Sequence, residues 1–185
     1  SNFEFSKFFQ TIQNFCVVDL SNFYLDIAKD RLYVSSKSDF RRRSCQTVLS
    51  LVIEKISGLI APVLCHMAED IWQNIPYSLN EDSVFQRGWP QVPESWRNNS
   101  HNVHVAELRK LRTVINRMLE SCRSNQELGS SLEASVRIDI SDEKVKNAIE
   151  WLSHSESNKV DVLRDWFLVS SLQIGGEPLA EVLVS

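Results

Sequence analysis

The residues best suited to chemistry in this sequence are cations gathered around one short polar segment. These cations are Lys29, Arg31, Lys37, Arg41, Arg42 and Arg43. Lysine and arginine bind phosphate groups, and a helix N-terminus that carries arginines is suited to an anion. The arginines lack a structural explanation, because the N-terminal end of a helix dipole disfavours each positive charge by about 0.3–1 kcal/mol. Two interpretations stay open here, a site for RNA phosphate or solvated surface charge.

Aromatic side chains could add stacking to such a site, since unpaired RNA bases are usually recognised on aromatic rings. The candidates are Tyr33, Trp72, Trp89 and Trp96. Tyr33 adjoins the cations and is therefore the best of the four. Trp72 falls on the apolar stripe of a predicted helix, which predicts a place at the edge of a core. Phe85 and Trp89 follow later and are predicted, with Val84, to fix a long connection to the core.

Patterns of catalytic and metal-binding residues are missing from the sequence. It contains no glycine-rich phosphate loop and no nucleophile elbow. His101 and His104 are three residues apart without a third ligand, and we expect them to be solvated. The cysteines have no C-x-x-C spacing, so zinc is not expected and each is predicted to be a reduced, buried apolar residue. They are Cys16, Cys45, Cys65 and Cys122. We predict no catalytic residue, no metal site and no cofactor within this chain.

Two long helices are predicted to position the cations. Apolar residues recur at steps of three and four over residues 5–32 and again over residues 40–75, the spacing of an amphipathic helix. Residues 34–39 are polar and break the period, so they predict a loop in which Ser38 or Asp39 caps the second helix. If the two helices form an antiparallel hairpin, all the cations converge at its tip.

The remaining elements follow from breaks and changes of period. Pro62 predicts a kink near Ile60 or a division into two helices. Further along the chain, the pattern predicts a helix, a strand, a short helix, a second strand and a third strand or frayed end. Their predicted bounds are 103–122, 132–140, 141–152, 162–174 and 179–184. The predicted fold is mainly α, an antiparallel helix bundle over residues 1–125 followed by a small α+β part over residues 126–185.

Length and composition are those of an ordinary globular protein. The chain has 185 residues, 43% of them hydrophobic, and a net charge of -4, so any RNA site must be a local basic patch. No apolar run approaches the roughly 20 residues that span a bilayer, and we expect no membrane association. An apolar helical stripe begins at Phe3 and Phe5, directly after Ser1 and Asn2, so we expect a piece of a longer protein, with Ser1 and Asn2 as a tag scar.

Several runs resemble the anticodon-binding domain of the isoleucyl-tRNA synthetase family, which belongs to the class I aminoacyl-tRNA synthetases. The run Arg42-Arg43-Ser44-Cys45-Gln46 is similar to the start of a helix in that domain. The other similar runs lie at residues 15–26, 29–33, 61–64, 68–72, 83–85, 89–90, 119–123 and 129–134. Their order and spacing agree along nearly the whole chain. The residues of the runs that begin at positions 15 and 42 resemble those of cyanobacterial or plastid members.

This resemblance implies an RNA-binding role. Members of the family join isoleucine to its tRNA with ATP and hydrolyse mischarged valine, and the helical bundle grips the anticodon stem and loop. The resemblance thus supports the cationic segment as RNA-facing. It implies isoleucine tRNA as the partner, no DNA partner, a monomer, and a bacterial cytoplasmic or plastid stromal location.

The sequence also departs from the full family pattern. The HIGH and KMSKS motifs, the editing insert, the earliest bundle helices and the C-terminal zinc knuckle do not occur in it. We therefore expect ATP, Mg²⁺ and any zinc to belong to other parts of a longer protein, and we expect this piece to be inactive alone. Two alternatives remain open, a related valyl- or leucyl-type domain and a helical protein-interaction scaffold without an RNA role.

Overall fold

A computed structural model describes residues 4–97, 99–154, 159–175 and 182–184. Helices dominate it, as predicted, and a small sheet lies near the C-terminal end. The chain divides into two compact units, Ser1–Arg97 and Asn98–Ser185. The helices are α1 (Phe5–Asn14), a π-helix (Phe15–Leu25), α2 (Asp26–Tyr33), α3 (Phe40–Ile60), α4 (Cys65–Gln73), α5 (Asn99–Ser124), α6 (Glu143–His154) and α7 (Lys159–Phe167). The strands are β1 (Ala134–Ile138), β2 (Ser171–Ile174) and β3 (Val182–Val184).

The first predicted helix is present, but its middle is wound more widely than expected. The backbone stays helical through Phe15 and Asp26, where one winding passes into the next, so α1, the π-helix and α2 form one continuous rod. A π-helix closes i→i+5 hydrogen bonds, is rare, and often lies at functional sites. Val17 and Val18 of the π-helix, which lie off the predicted apolar stripe, are exposed.

The second predicted helix is divided at Pro62, as one of the two alternatives foresaw. Helix α3 ends at Ile60, and the amides of Val63 and Leu64 both donate to the Ile60 carbonyl in a turn that leads into α4. Proline cannot donate a backbone hydrogen bond and clashes with the preceding helical turn. The chain therefore changes direction here, and α3 and α4 pack against each other.

A small core fixes the α3–α4 junction. Its buried residues are Ile60, Ala61, Ala68, Trp72 and Val84. Trp72 is buried as predicted, and its indole N–H donates to the Glu81 carbonyl at 3.1 Å. The Arg87 guanidinium lies 5.4 Å from the centre of the Trp72 ring and pairs with Glu54 at 3.3 Å. These contacts hold the connection that follows α4 against both helices.

The predicted anchors of that connection are only partly right. Val84 is buried, but Phe85 and Trp89 are exposed, so neither aromatic ring serves as a buried anchor. Pro90 takes that role instead, because its ring lies against Gly58 of α3, where a Cβ atom would meet the Pro90 Cγ at 2.6 Å. Short-range sequence patterns could not reveal this contact between residues far apart in the chain.

The second unit is built around a sheet of order β2-β1-β3, in which β1 pairs parallel with β2 and antiparallel with β3. Parallel neighbours need a long crossover, and α6 and α7 provide it. Ala134, Val136 and Ile138 of β1 face a core shared with α5, α6 and α7. The buried Arg112 of α5 donates to the Trp166 carbonyl within this unit.

Two sequence predictions differ from the observed structure of the second unit. The strand predicted over residues 162–174 is wrong, because the chain forms α7 and only then β2. Helix α7 buries Val162, Leu163 and Phe167 on one side, and Leu168 ends it with a φ of 54°. The predicted division after residue 125 also differs from the structure, since α5 shares its buried Leu108, Ile115 and Leu119 with the sheet.

Candidate nucleic-acid interface

The predicted cationic residues lie around the connection between α2 and α3, and we call residues 29–43 the tip. Helix α2 ends with the amides of Val34 and Ser35 donating to the Asp30 carbonyl, and the Asp39 amide then donates to the Ser36 carbonyl. These hydrogen bonds give residues 34–39 a compact turn, in agreement with the predicted loop. Helices α2 and α3 contact each other, and the turn of residues 34–39 joins the cationic end of α2 to the cationic start of α3.

Asp39 caps α3, which decides between the two predicted capping residues. Its backbone is extended and its carboxylate accepts from the Arg42 amide at 3.1 Å, the usual geometry of an aspartate N-cap. The cap places Arg41, Arg42 and Arg43 in the first turn, where the free N–H groups and the helix dipole already make the field positive. Their side chains strengthen that field.

The tip is strongly basic although the whole chain is acidic. It holds six cations against the two carboxylates of Asp30 and Asp39, a net charge of +4, whereas the chain carries -4. Lys37 and Arg43 are exposed, and Arg31, Arg41 and Arg42 are half-buried. Lys29 pairs with Asp26 at 2.8 Å and still keeps 64% of its side chain exposed. Part of the positive charge of the tip is therefore exposed to solvent, at Lys29, Lys37 and Arg43.

A pair formed by the half-buried Tyr24 and the buried Cys45 connects the helices just behind the tip. The Tyr24 hydroxyl hydrogen-bonds to the Cys45 thiol of α3, and burial, together with Cys45, raises the pKa of Tyr24 far above its ordinary value of 10.0 while Arg31 opposes that rise. Tyr24 therefore stays neutral.

Exposed apolar side chains accompany the cations. Tyr33 is 85% exposed, Val34 79% and Phe40 84%, and these three residues begin and end the turn between α2 and α3. Tyr33 was among the predicted site residues, whereas Phe40 was not. The cap at Asp39 places Phe40 at the first helical position, ahead of the apolar stripe that begins at Cys45.

Other predicted residues do not join the tip. Trp72 belongs to the core, and Trp89 and Trp96 lie on the later connection. His101 and His104 are not simply solvated, because their rings contact Trp151 of α6 with centroid distances of 5.2 and 5.3 Å. Among the cysteines, only Cys45 is buried, and Cys65 is exposed, so the prediction of a buried side chain is wrong for Cys65.

Within the described parts of the chain, no three His, Cys, Asp or Glu side chains come together as metal ligands. None of the helices among the described residues combines the length and apolar content needed to cross a bilayer.

Known proteins that resemble this chain point to the tRNA ligases. Residues 1–138 match the anticodon-binding domain of tRNA ligase. The chain is 89% identical over all of its 185 residues to an isoleucine–tRNA ligase of Prochlorococcus marinus strain NATL2A, and 61% identical over 183 residues, 99% of this chain, to one of Synechococcus sp. strain CC9311. It spans 19% of the length of each of these relatives. The chain therefore belongs to the family of anticodon-binding domains of tRNA ligases.

Proposed function

We propose that this chain binds the anticodon stem and loop of isoleucine tRNA, as part of a longer isoleucine–tRNA ligase. The observation that carries the proposal is the tip, a patch of net charge +4 on a chain of net charge -4. Phosphate-rich RNA is the natural partner of a patch in which arginines surround a helix N-terminus. The names of the relatives support isoleucine tRNA over other tRNAs.

In this proposal α2 and α3 run antiparallel, so that their cationic ends form one RNA-facing surface. Arg41, Arg42 and Arg43 contact the phosphates, and Lys37 contacts the same strand from the turn. Lys29 and Arg31 lie on the α2 side of the surface. Positioning of the tRNA is the contribution of this chain.

The chemistry of the longer protein lies elsewhere. Joining isoleucine to tRNA requires ATP, and the family's valine editing requires a hydrolytic site. The present residues do not fit a nucleotide, because the sequence has no glycine-rich loop to cradle phosphates. We propose that the longer protein acts as a monomer in a bacterial cytoplasm, or alternatively in a plastid stroma.

The first prediction concerns the three arginines. Changing Arg41, Arg42 and Arg43 together to glutamate is expected to weaken binding of the isoleucine anticodon stem-loop and to make the negative slope of log K against log salt shallower by about 2. Each lost phosphate contact removes part of the counterion release that drives binding. Fluorescence anisotropy with a labelled stem-loop between 50 and 200 mM salt, a range over which phosphate-led binding changes markedly, measures both quantities.

The matched control makes the same change of charge in the second unit, with Arg117, Lys144 and Lys146 changed to glutamate. All three are exposed, and binding is expected to stay near wild type. Stem-loops of valine and methionine tRNAs test which RNA is preferred. Equal salt slopes for the wild type and the tip variant would reject the tip as the RNA site, and a chain that binds none of the stem-loops would favour the scaffold alternative.

A further inference from the structure

We propose that Asp39 is a positioning residue for RNA binding, which holds Arg42 in place for a phosphate and whose negative charge limits the affinity of the tip. This inference rests on the proposed function and deepens it. Asp39 carries a carboxylate and does not itself bind a phosphate. It acts through the first turn of α3, which it caps and which carries the arginines.

The backbone around the cap holds Asp39 firmly. Its amide donates to the Ser36 carbonyl at 3.1 Å, and its carbonyl accepts from the Arg43 amide at 3.0 Å. Its carboxylate accepts from the Arg42 amide at 3.1 Å. These hydrogen bonds fix the residue at which α3 begins. They thereby fix the positions from which the side chains of Arg42 and Arg43 leave the helix.

Arg42 has a donor that lacks a partner. Its side chain is half-buried, and its Nε is buried without a hydrogen-bond partner among the described residues. An unpaired buried donor is costly, and more so when it belongs to a charged group, whereas a phosphate oxygen is a strong acceptor for a guanidinium. The Asp39 carboxylate bonds to the backbone amide of Arg42, so the side chain of Arg42 keeps donors for a phosphate.

The negative charge of Asp39 is not needed for capping, because asparagine and serine cap helices about as well as aspartate does. In the free protein, a carboxylate beside three consecutive arginines reduces their mutual repulsion, and the helix dipole stabilises it. In the complex, the same carboxylate repels the RNA phosphate. The charge of Asp39 therefore stabilises the free tip and destabilises the bound one.

The first measurement separates the cap from the charge. Fluorescence anisotropy with the labelled isoleucine anticodon stem-loop compares Asp39→Asn, which keeps the cap but not the charge, with Asp39→Ala, which keeps neither. Asp39→Asn is expected to bind roughly 2- to 5-fold more tightly than the wild type. Its negative slope of log K against log salt should be steeper by up to about 0.9. Asp39→Ala should bind more weakly than Asp39→Asn, by up to roughly 30-fold.

The second measurement tests whether the cap acts through Arg42. In an Arg42→Gln background, Asp39→Ala and Asp39→Asn should bind alike to within about 2-fold, because the guanidinium that the cap positions is gone. With Arg42 intact, Asp39→Ser restores a neutral cap by a different side chain and should match Asp39→Asn. Circular dichroism establishes that each variant keeps its helical content.

Asp142 provides the matched control in the second unit. Its carboxylate accepts from the Lys144 amide at 2.9 Å, just before α6 begins at Glu143. Asp142→Asn and Asp142→Ala therefore make the same changes of charge and cap at another helix. Both variants should keep the stem-loop affinity and the salt slope of the wild type.

The results separate this inference from the proposed function. If the triple arginine variant loses binding while Asp39→Asn keeps the affinity and salt slope of the wild type, Asp39 is only a structural cap and the RNA-binding function stands. Equal affinities of Asp39→Ala and Asp39→Asn with Arg42 intact would also overturn the inference. If the triple arginine variant binds as the wild type does, both proposals fail. Tighter binding by Asp39→Asn, together with a cap effect that requires Arg42, establishes the role of Asp39.

Discussion

Glu69 is a single residue that secures the connection after α4. Its carboxylate accepts hydrogen bonds from the Gln73 amide at 2.8 Å, the Ser83 hydroxyl at 2.9 Å and the Val84 amide at 3.0 Å. These bonds, the one from Gln73 above all, lower the pKa of Glu69 below its ordinary 4.5. The charged form is therefore the one that the fold stabilises.

This residue gives a pH-dependent prediction. Because the folded pKa lies below the unfolded one, the stabilisation is complete above about pH 4.5 and is lost as the pH falls through the folded pKa. Glu69→Gln should thus be less stable than the wild type at neutral pH, and the difference should shrink in acid. Urea unfolding at neutral and acidic pH measures it.

Glu94→Gln is the control for Glu69, since the Glu94 side chain is 85% exposed and lies 3.7 Å from Arg97. Its stability relative to the wild type should change little with pH. A constant difference for Glu69→Gln across the same range would contradict the assigned role of the carboxylate.

Single residues also show which features of the candidate site could be predicted from the sequence. The cations and Tyr33 were identified because local composition reveals charge and exposed position together. Phe40 was not among the predicted residues, since a helix start in the sequence does not fix how far its first side chain is exposed. The partners of Lys29 and Tyr24 were also beyond reach, because the geometry of a pair depends on how the helices wind and pack.

At the scale of elements, the contact between Gly58 and Pro90 joins α3 to the connection after α4. A Cβ atom at Gly58 would meet the Pro90 Cγ at 2.6 Å and Cδ at 3.3 Å. The first distance is too short for two carbon atoms and the second is tight, and a proline ring cannot rotate away as a flexible side chain can. Glycine at this position is therefore required by close approach.

Gly58→Ala is expected to lower the free energy of unfolding by about 1–3 kcal/mol, as overpacking does in other cores, less the gain of up to about 1 kcal/mol in helix propensity. The same substitution in a Pro90→Ala background should cost less, because the obstructing ring is gone. Urea denaturation of the four proteins gives the coupling. Strictly additive effects would show that the contact does not limit the approach of the connection.

The helices themselves were largely predictable, because a period near 3.6 residues is a local property of the sequence. Two features escaped that argument. The π-helix still satisfies an approximate period, so nothing local distinguishes its wider winding. The error at 162–174 arose because Trp166 and Phe167 favour strands locally, whereas burial of Val162, Leu163 and Phe167 in the shared core stabilises a helix.

At the scale of the molecule, α5 belongs to the unit that contains the sheet. The predicted boundary followed covalent order, in which α5 continues a series of helices. The buried side chains of Leu108, Ile115 and Leu119 instead join those of β1, α6 and α7. Which core a helix joins depends on contacts distant in sequence, and a single sequence does not reveal them.

Leu119→Ala tests this assignment. Leu119 is almost completely buried, and its truncation should cost the second unit about 2–5 kcal/mol. Hydrogen exchange should then become faster in β1 and α6. Val114→Ala is the control, because Val114 lies on the exposed side of α5. Unchanged protection of β1 and α6 would support the division after residue 125.

The continuous rod from Phe5 to Tyr33 has a consequence for how such chains can diverge. Each residue of an α-helix turns the backbone by about 100° and each residue of a π-helix turns it by less, so the loss or gain of one residue within Phe15–Leu25 would swing every later side chain around the axis. Tyr33 would then face a different direction while its composition and charge stayed the same. Homologous chains should therefore tolerate substitutions along this rod far better than insertions or deletions. The number of residues in the rod fixes the direction in which Tyr33 points.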